Sequence, residues 1–428
     1  MIIIIMAGGR GTRISSVNSE IPKPMIPLLG KPVLEYELEA IKAQGYEEVM
    51  IVVGHLKQAI MEYFGDGKKW GLNIRYIEED SPLGTAGALY YLRDRLKEDM
   101  LLLNGDTIFD VDIQRMYKWH KLRGGVATIL THPNDHPYDS GIVVTNQEGC
   151  VQEWMHKENA RRWYRNCVNA GIHVLSSEIF QEKYGLFSEL RKLDLDRDVL
   201  KPLISRRELY AYSSPEYVKD MGTPDRLKEV EGDIKSGKVC AKNLKRKQKA
   251  VFLDRDGTIN QYVGFVRDAE ELELLPGTAA AIRSINQLGY LAIIVTNQPV
   301  IARGEVTVSQ LQEIHNKLET LLGQEGAYVD AIYYCPHHPD KGFEGEIEEL
   351  KINCSCRKPK PGMLYQAAED FNIDLSESWM IGDRIQDISA GRSAGCRTVY
   401  LGSPIEEYGQ TYTMESLEEF VCKILEVE

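Results

Sequence analysis

The chain opens on four consecutive isoleucines, Ile2 to Ile5, with no polar residue between them. An unbroken apolar run of this kind predicts a strand buried on both faces, as in a parallel sheet. Short strand-like runs recur at 48–53, 73–77 and 100–103. Residues 32–44 instead place apolar side chains at helical spacing and stop at Gly45. This alternation predicts a doubly wound α/β sheet, which gathers its ligands at the C-terminal ends of its strands. Residues 126–175 break into shorter runs and predict a partly antiparallel extension of that sheet.

A second pattern of the same type starts at Ala250, with strands predicted at 251–253, 291–296, 331–334, 379–381 and 398–401. From Met414 the chain reads as an amphipathic acidic helix. Between the two patterns, residues 235–249 are basic and poor in large apolar side chains, which predicts a solvated linker rather than a nucleic-acid patch. At 428 residues the chain is too long for one ordinary core. The expected organisation is an α/β domain over 1–232, a basic linker over 233–249, and a second α/β domain over 250–428 that ends in the acidic helix.

Composition narrows the function classes. The chain is 43% hydrophobic and 27% charged, with a formal net charge of −13. That balance fits a globular protein and argues against a nucleic-acid or anionic-membrane surface. No apolar run approaches the roughly 20 residues that span a bilayer, and the isoleucine run is too short for a signal peptide. The expected location is the cytoplasm. Of 8 cysteines, Cys150, Cys167, Cys240, Cys396 and Cys422 stand apart and are expected as thiols, whereas Cys335, Cys354 and Cys356 cluster with His337 and His338.

The first strand runs into Gly8-Gly9-Arg10-Gly11-Thr12-Arg13. Glycines let backbone N–H groups approach phosphates, and the arginines add charge. Lys23 lies between Pro22 and Pro24, in a loop stiff enough to limit the entropy lost on docking a phosphate. Asp106 follows the strand-like run at 100–103, and Asp220 lies in Lys219-Asp220-Met221-Gly222. Magnesium favours a few carboxylates with phosphate oxygens and water, although each aspartate alone also fits a turn or a helix cap.

GGRGTR (8–13), PKPMIPLLGKPVLE (22–35), PLGTAGA (82–88), NGD (104–106), NAG (169–171) and KDMGTP (219–224) occur in this order. Together they resemble the sugar-1-phosphate nucleotidyltransferases, in particular the branch acting on D-glycero-D-manno-heptose 1-phosphate, which are mostly guanylyltransferases. The resemblance implies a Rossmann-like domain and in-line attack of a sugar phosphate on the α-phosphorus of a nucleoside triphosphate. It places Arg13 and Lys23 on the triphosphate, beside Gly8, Gly9 and Gly11, and Asp106 and Asp220 on Mg²⁺. Gly84 and Thr85 would border the base. Gly141, Asn169 and Gly171 would border the sugar, and Lys157 its phosphate. The chain departs from the family at Arg13-Ile14, where Arg-Leu is usual, and at Trp154-Met-His-Lys157, where Glu-Lys-Pro is usual.

In the second half, Asp254-Arg-Asp256-Gly-Thr258 follows a strand-like run. Two carboxylates at i and i+2 of an extended loop can face one pocket, one attacking while the other moves a proton. Thr296-Asn297-Gln298, Arg357-Lys358 and Gly382-Asp383-Arg384 add donors, cations and a further carboxylate. Asp387 is either part of the site or a carboxylate on a helix face. Cys335, His337, Cys354 and Cys356 offer three thiolates and one imidazole, a closed set suited to structural Zn²⁺, with His338 left beside it. Such a zinc loop would position Arg357 and Lys358.

This ordered set resembles the haloacid dehalogenase superfamily of phosphatases, which implies a Rossmannoid fold. Asp254 would then be the nucleophile and Asp256 the acid and base, with Thr296 and Lys358 stabilising the phosphoryl oxygens. Asp254, Asp383 and the Asp256 main-chain carbonyl would hold Mg²⁺, and Asn297, Gln298, Arg357 and Arg384 would face the substrate. DRDGTIN (254–260), IARG (301–304), YYCPHHP (333–339) and CSCRKPKPGM (354–363) further resemble the D-glycero-D-manno-heptose-1,7-bisphosphate 7-phosphatases; histidinol-phosphate phosphatases share much of the pattern. After Gln298 the family has Ser-Gly where this chain has Pro299-Val300. The stretch between Thr258 and Thr296 is too short for a large cap domain.

The two resemblances converge on heptose. They imply a bifunctional enzyme that removes the 7-phosphate of heptose 1,7-bisphosphate and couples heptose 1-phosphate to a nucleotide, giving GDP-D-glycero-α-D-manno-heptose. Its partners would be small molecules, heptose phosphates and a nucleoside triphosphate, without nucleic acid or membrane; a homo-oligomer is left open. The alternatives are a hexose-1-phosphate transferase joined to a histidinol-phosphate-like phosphatase, or one catalytic domain joined to a silent regulatory one.

Overall fold

The computed structural model describes residues 1–9, 21–403 and 408–427. They form two units: Met1–His132, Val143–Met155 and Asn169–Asn243 make the first, and Pro133–Ile142, His156–Val168 and Leu244–Glu428 the second.

In the first unit, Ile2–Met6 lies parallel between Glu48–Val53 and Met100–Asn104, with Asn73–Glu78 parallel beyond Glu48–Val53. Ile3, Ile4 and Ile5 are fully buried, which explains the absence of polar alternation. Next to Met100–Asn104 the sheet turns antiparallel through Val168–Leu175. The shorter runs therefore form the expected mixed extension, with Ala127–His132 parallel to Leu209–Ser213. The helix Val33–Ala43 follows Pro32, and Gly45 just beyond it takes a φ of +86°, open to glycine and costly for other residues. A separate ribbon pairs Thr107–Asp110 with Tyr217–Asp220.

The second unit is built on a six-stranded sheet, parallel throughout. Its order is Ala331–Cys335, Leu291–Asn297, Ala250–Leu253, Trp379–Gly382, Arg397–Leu401 and Tyr412–Met414. Val251 and Leu253 enter one core, with Trp379 and Ile294, while Ala250 and Phe252 enter the other, with Ile293 and Met380. Chain order reverses beside Ala250–Leu253, which opens a crevice at the strand ends. Between Thr258 and the strand Leu291–Asn297 stand only a short turn, Ala269–Glu271, and the helix Thr278–Gln287.

Two local expectations change, and one departure from the family pattern is placed. Met414 closes a sixth strand, and the terminal helical segment starts at Leu417, burying Leu417, Phe420 and Val421. The basic run is solvated only in part. It carries the helix Lys238–Ala241, and Lys242, Asn243, Leu244 and Gln248 are buried. Pro299-Val300 sit in a turn whose Val300 is fully buried beside Ile301, Val306 and Leu311. Among the described residues, no helix is long and apolar enough to cross a membrane.

Candidate active sites

In the first unit, Gly8 and Gly9 leave the C-terminal end of Ile2–Met6. Arg10, Gly11 and Arg13 lie outside the described residues. A Cβ at Gly8 would fall 2.2 Å from Oε2 of Glu79, so a side chain there would displace that carboxylate. Burial pushes the Glu79 carboxyl above its usual range, with the Leu83 N–H pulling the other way. Its Oε1 is buried without a partner among the described residues.

Lys23 forms an ion pair with Asp106. The Asp106 carbonyl accepts the Met221 N–H at 2.8 Å, and Asp220 stands opposite Thr107 on the ribbon. The two aspartates expected at magnesium thus come to neighbouring positions. The Asp220 carboxylate accepts the Gly222 N–H at 2.9 Å and a donor from Arg226. Below this ribbon lies Glu37, only 1% exposed, whose Oε1 accepts the Thr107 N–H at 3.0 Å. Burial holds its carboxyl well above the carboxylate range. Sequence reading passed over Glu37, although a glutamate inside the stripe Val33, Leu34, Leu38, Ile41 was a visible signal.

Gly84 and Thr85 border the 193–195 segment: the Leu195 N–H donates to Thr85 Oγ1 at 2.7 Å, and the Ala86 N–H to the Leu193 carbonyl at 3.1 Å. Asn169 Oδ1 accepts the Gly171 N–H at 3.2 Å, and Gly171 packs on Asn104, two residues before Asp106. Gly141 and Lys157 belong to the second unit, where Lys157 Nζ lies 3.1 Å from Asp139, both side chains exposed.

The second unit holds a denser arrangement at its crevice. Lys358, 3% exposed, places Nζ 2.6 Å from Asp254, 2.6 Å from Asp387 and 2.7 Å from the Val295 carbonyl. Asp387 is therefore in the site and not on a solvated helix face. Asp254, Asp383 and Asp387 bring one oxygen each within 4.8 Å of one another. Burial, above all, pushes Asp254 and Asp383 up to about 6; Lys358 opposes the rise at Asp254, and the Asp254 charge adds to it at Asp383. Three carboxylates face one ammonium here, while Arg384 comes only within 3.9 Å of Asp383. Asp383 Oδ1 is buried and has no hydrogen-bond partner among the described residues. An excess of negative charge with an orphaned oxygen suits a divalent cation. Gly257 lets the loop close on this point: its φ is +89°, and a Cβ would fall 2.3 Å from Asp383 Oδ2.

The amides after Leu291–Asn297 are committed within the protein. Asn297 pairs both ways with the Lys358 backbone, at 3.0 Å each. Gln298 Nε2 donates to Thr296 Oγ1 at 2.9 Å and to Asp256 at 3.0 Å. These two residues, expected at the substrate, here hold other site residues. Arg357 donates to the His337 carbonyl at 3.3 Å, and Arg384 lies over the Tyr262 ring at 4.6 Å.

Cys335, His337, Cys354 and Cys356 converge as the spacing suggested. Cys356 Sγ lies 3.3 Å from Cys335, Cys354 and His337 Nδ1, and Cys335 Sγ lies 3.5 Å from Cys354. A tetrahedron with zinc–sulfur bonds of about 2.3 Å has edges of about 3.8 Å, so the donor set needs little expansion to take that ion. The Cys335 contact, foremost, pulls the Cys356 thiol down to about 5, so one thiolate is already favoured.

Residues 2–237 match the Nucleotidyl transferase family, and residues 355–421 the HAD-hydrolase-like family. The D-glycero-beta-D-manno-heptose-1,7-bisphosphate 7-phosphatase of Pasteurella multocida (strain Pm70) is 40% identical over 176 residues, 40% of this chain and 93% of that protein. The corresponding phosphatase of Escherichia coli (strain K12) is 40% identical over 159 residues, 36% of this chain and 81% of that protein. Among solved structures, HddC from Yersinia pseudotuberculosis is similar at 23% identity over 54% of this chain and 99% of its own, with a TM-score of 0.47.

Proposed function

This chain belongs to the nucleotidyl transferase family through residues 2–237 and to the D-glycero-β-D-manno-heptose-1,7-bisphosphate 7-phosphatases through its second catalytic part, and we propose that it performs two consecutive steps of nucleotide-activated heptose synthesis. The phosphatase unit acts first, releasing the 7-phosphate of heptose 1,7-bisphosphate. The transferase unit then couples heptose 1-phosphate to GMP from GTP and releases pyrophosphate.

In the first reaction an Asp254 oxygen attacks the phosphorus and the bond to the sugar oxygen breaks. Asp256 gives its proton to that oxygen. The Asp256 carboxylate then takes a proton from water, the hydroxide attacks the aspartyl phosphate, and Asp254 and phosphate are freed. Lys358 and Thr296 offset charge on the phosphoryl oxygens. Asp254, Asp383 and the Asp256 carbonyl would hold Mg²⁺, which supplies further charge neutralisation when bound. The Cys335, His337, Cys354 and Cys356 set would hold a structural Zn²⁺ that fixes the loop bearing Arg357 and Lys358.

In the second reaction positioning and charge stabilisation suffice, without a covalent intermediate. Lys23, with Arg13, binds the triphosphate, and Asp106 and Asp220 would hold Mg²⁺.

The observation that carries this reading is the buried Asp254–Lys358–Asp387 bridge beside Asp383, in a chain that shares 40% identity with nearly the whole of a heptose-bisphosphate phosphatase. The test is incubation with each anomer of heptose 1,7-bisphosphate and each of four nucleoside triphosphates, with products identified by mass. GDP-heptose with equimolar phosphate and pyrophosphate is expected. Turnover of histidinol phosphate in place of the heptose substrate, or no pyrophosphate with any triphosphate, would overturn it.

A further inference from the structure

Arg255 stands between the two aspartates of Asp254-Arg255-Asp256 and is 0% exposed. A buried guanidinium is costly unless its donors are used. Here Nε and Nη2 are directed at one neighbour, Asp256. Nε lies 3.1 Å and Nη2 3.0 Å from Asp256 Oδ1, and Nη2 lies 2.8 Å from Asp256 Oδ2. The other terminal nitrogen, Nη1, meets Nε2 of His315 at 3.3 Å. His315 is itself buried and comes from the helix Val308–Gln324, across the fold from the loop. A guanidinium has no lone pair to offer, so His315 must accept at Nε2 and carry its proton on Nδ1. A charged imidazole there would face a second cation at contact distance.

We propose that Arg255 is a positioning residue for Asp256, and that neutral His315 anchors it from behind. The chain thus fixes its acid–base carboxylate with a rigid fork, joined by Asn260 Nδ2 at 3.1 Å and Gln298 Nε2 at 3.0 Å. A fork that grips both oxygens sets the plane of the carboxylate as well as its position, which a single point contact cannot do. This rests on the reading of Asp256 as the acid and base of the phosphatase reaction, and not on the identity of the sugar.

Leaving-group dependence tests it. An alkyl phosphate needs a proton delivered to its departing oxygen, whereas p-nitrophenyl phosphate leaves as a stable anion. Phosphate release from both would be measured on the full chain at saturating magnesium, with heptose 1,7-bisphosphate as a third substrate. For Arg255→Lys, which keeps the charge and loses the fork, kcat on the alkyl phosphate should fall about 100-fold with KM little changed, while p-nitrophenyl phosphate loses less than about 10-fold. His315→Gln keeps an acceptor for Nη1 and should retain most activity; His315→Leu should show the same selective loss as Arg255→Lys. Equal losses on both phosphates, or no loss on either, would overturn the proposal. So would equal behaviour of the two His315 variants, each checked by its melting temperature. Inactivity of the unaltered chain on heptose bisphosphate alone, with the other two substrates turned over, would count against the proposed sugar and leave the Arg255 comparison readable.

Discussion

Raising the pH from 5 to 7.5 without magnesium should weaken the second unit, and magnesium should remove the loss. Asp254 and Asp383 are pushed up to about 6, against 3.8 for a free aspartate. A carboxyl that holds its proton more tightly when folded stabilises fully below its unfolded pKa. That contribution is lost as the pH rises through the folded value. Between pH 5 and 7.5 one such group gives up about 1–2 kcal/mol. Burial in one crevice is the first cause for both, and the Asp254 charge adds to the rise at Asp383, so the two titrations are not independent and the pair is expected to cost about 2 kcal/mol rather than a doubled sum. For a unit of this size that is about 4–8 °C in melting temperature. A bound divalent cation takes over the role of the protons. The rise in Tm on adding magnesium should therefore be several degrees at pH 7.5 and small at pH 5, where protons compete and weaken apparent affinity about tenfold for each such group. Scanning calorimetry of the full chain at both pH values, with magnesium omitted rather than chelated so that the thiolate site is undisturbed, reads both effects. A magnesium-induced rise that is equal at pH 5 and pH 7.5 would refute the assignment of a cation to these carboxylates.

Asp254→Asn should abolish phosphate release while transfer to supplied heptose 1-phosphate stays within about twofold, and Asp106→Ala should do the reverse; parallel loss of both activities would contradict separate sites. Cys354→Ser should release zinc, read by mass spectrometric metal analysis, and depress phosphatase activity, because one of four donors at contact distance is lost. Retention of zinc would dismiss the ligand set.

Much of this protein was legible in its residues because its chemistry is local in sequence. Continuous apolar runs marked parallel strands, since a strand covered on both faces has no polar side to show. Ile2–Met6, Ala250–Leu253 and Leu291–Asn297 follow that rule. Spacing marked the Asp254 and Asp256 pair, and composition marked the cysteine cluster. The strand Tyr412–Met414 escaped notice because three residues carry too little pattern. Asp387 could be read in two ways, because helical spacing states which residues share a face and not what that face meets.

The amino-acid sequence by itself determined two α/β units, two sets of phosphate chemistry, and the side chains available to each. Only the tertiary structure decided how those side chains are spent. It turned Arg255 inward onto Asp256, set the Asn297 side chain on the Lys358 backbone, and placed Glu37 under the ribbon that follows Asp106. The reason is physical: the function of a polar group depends on what burial leaves within about 3 Å of it, and those neighbours come from distant segments, 104 residues apart for Lys358 and Asp254.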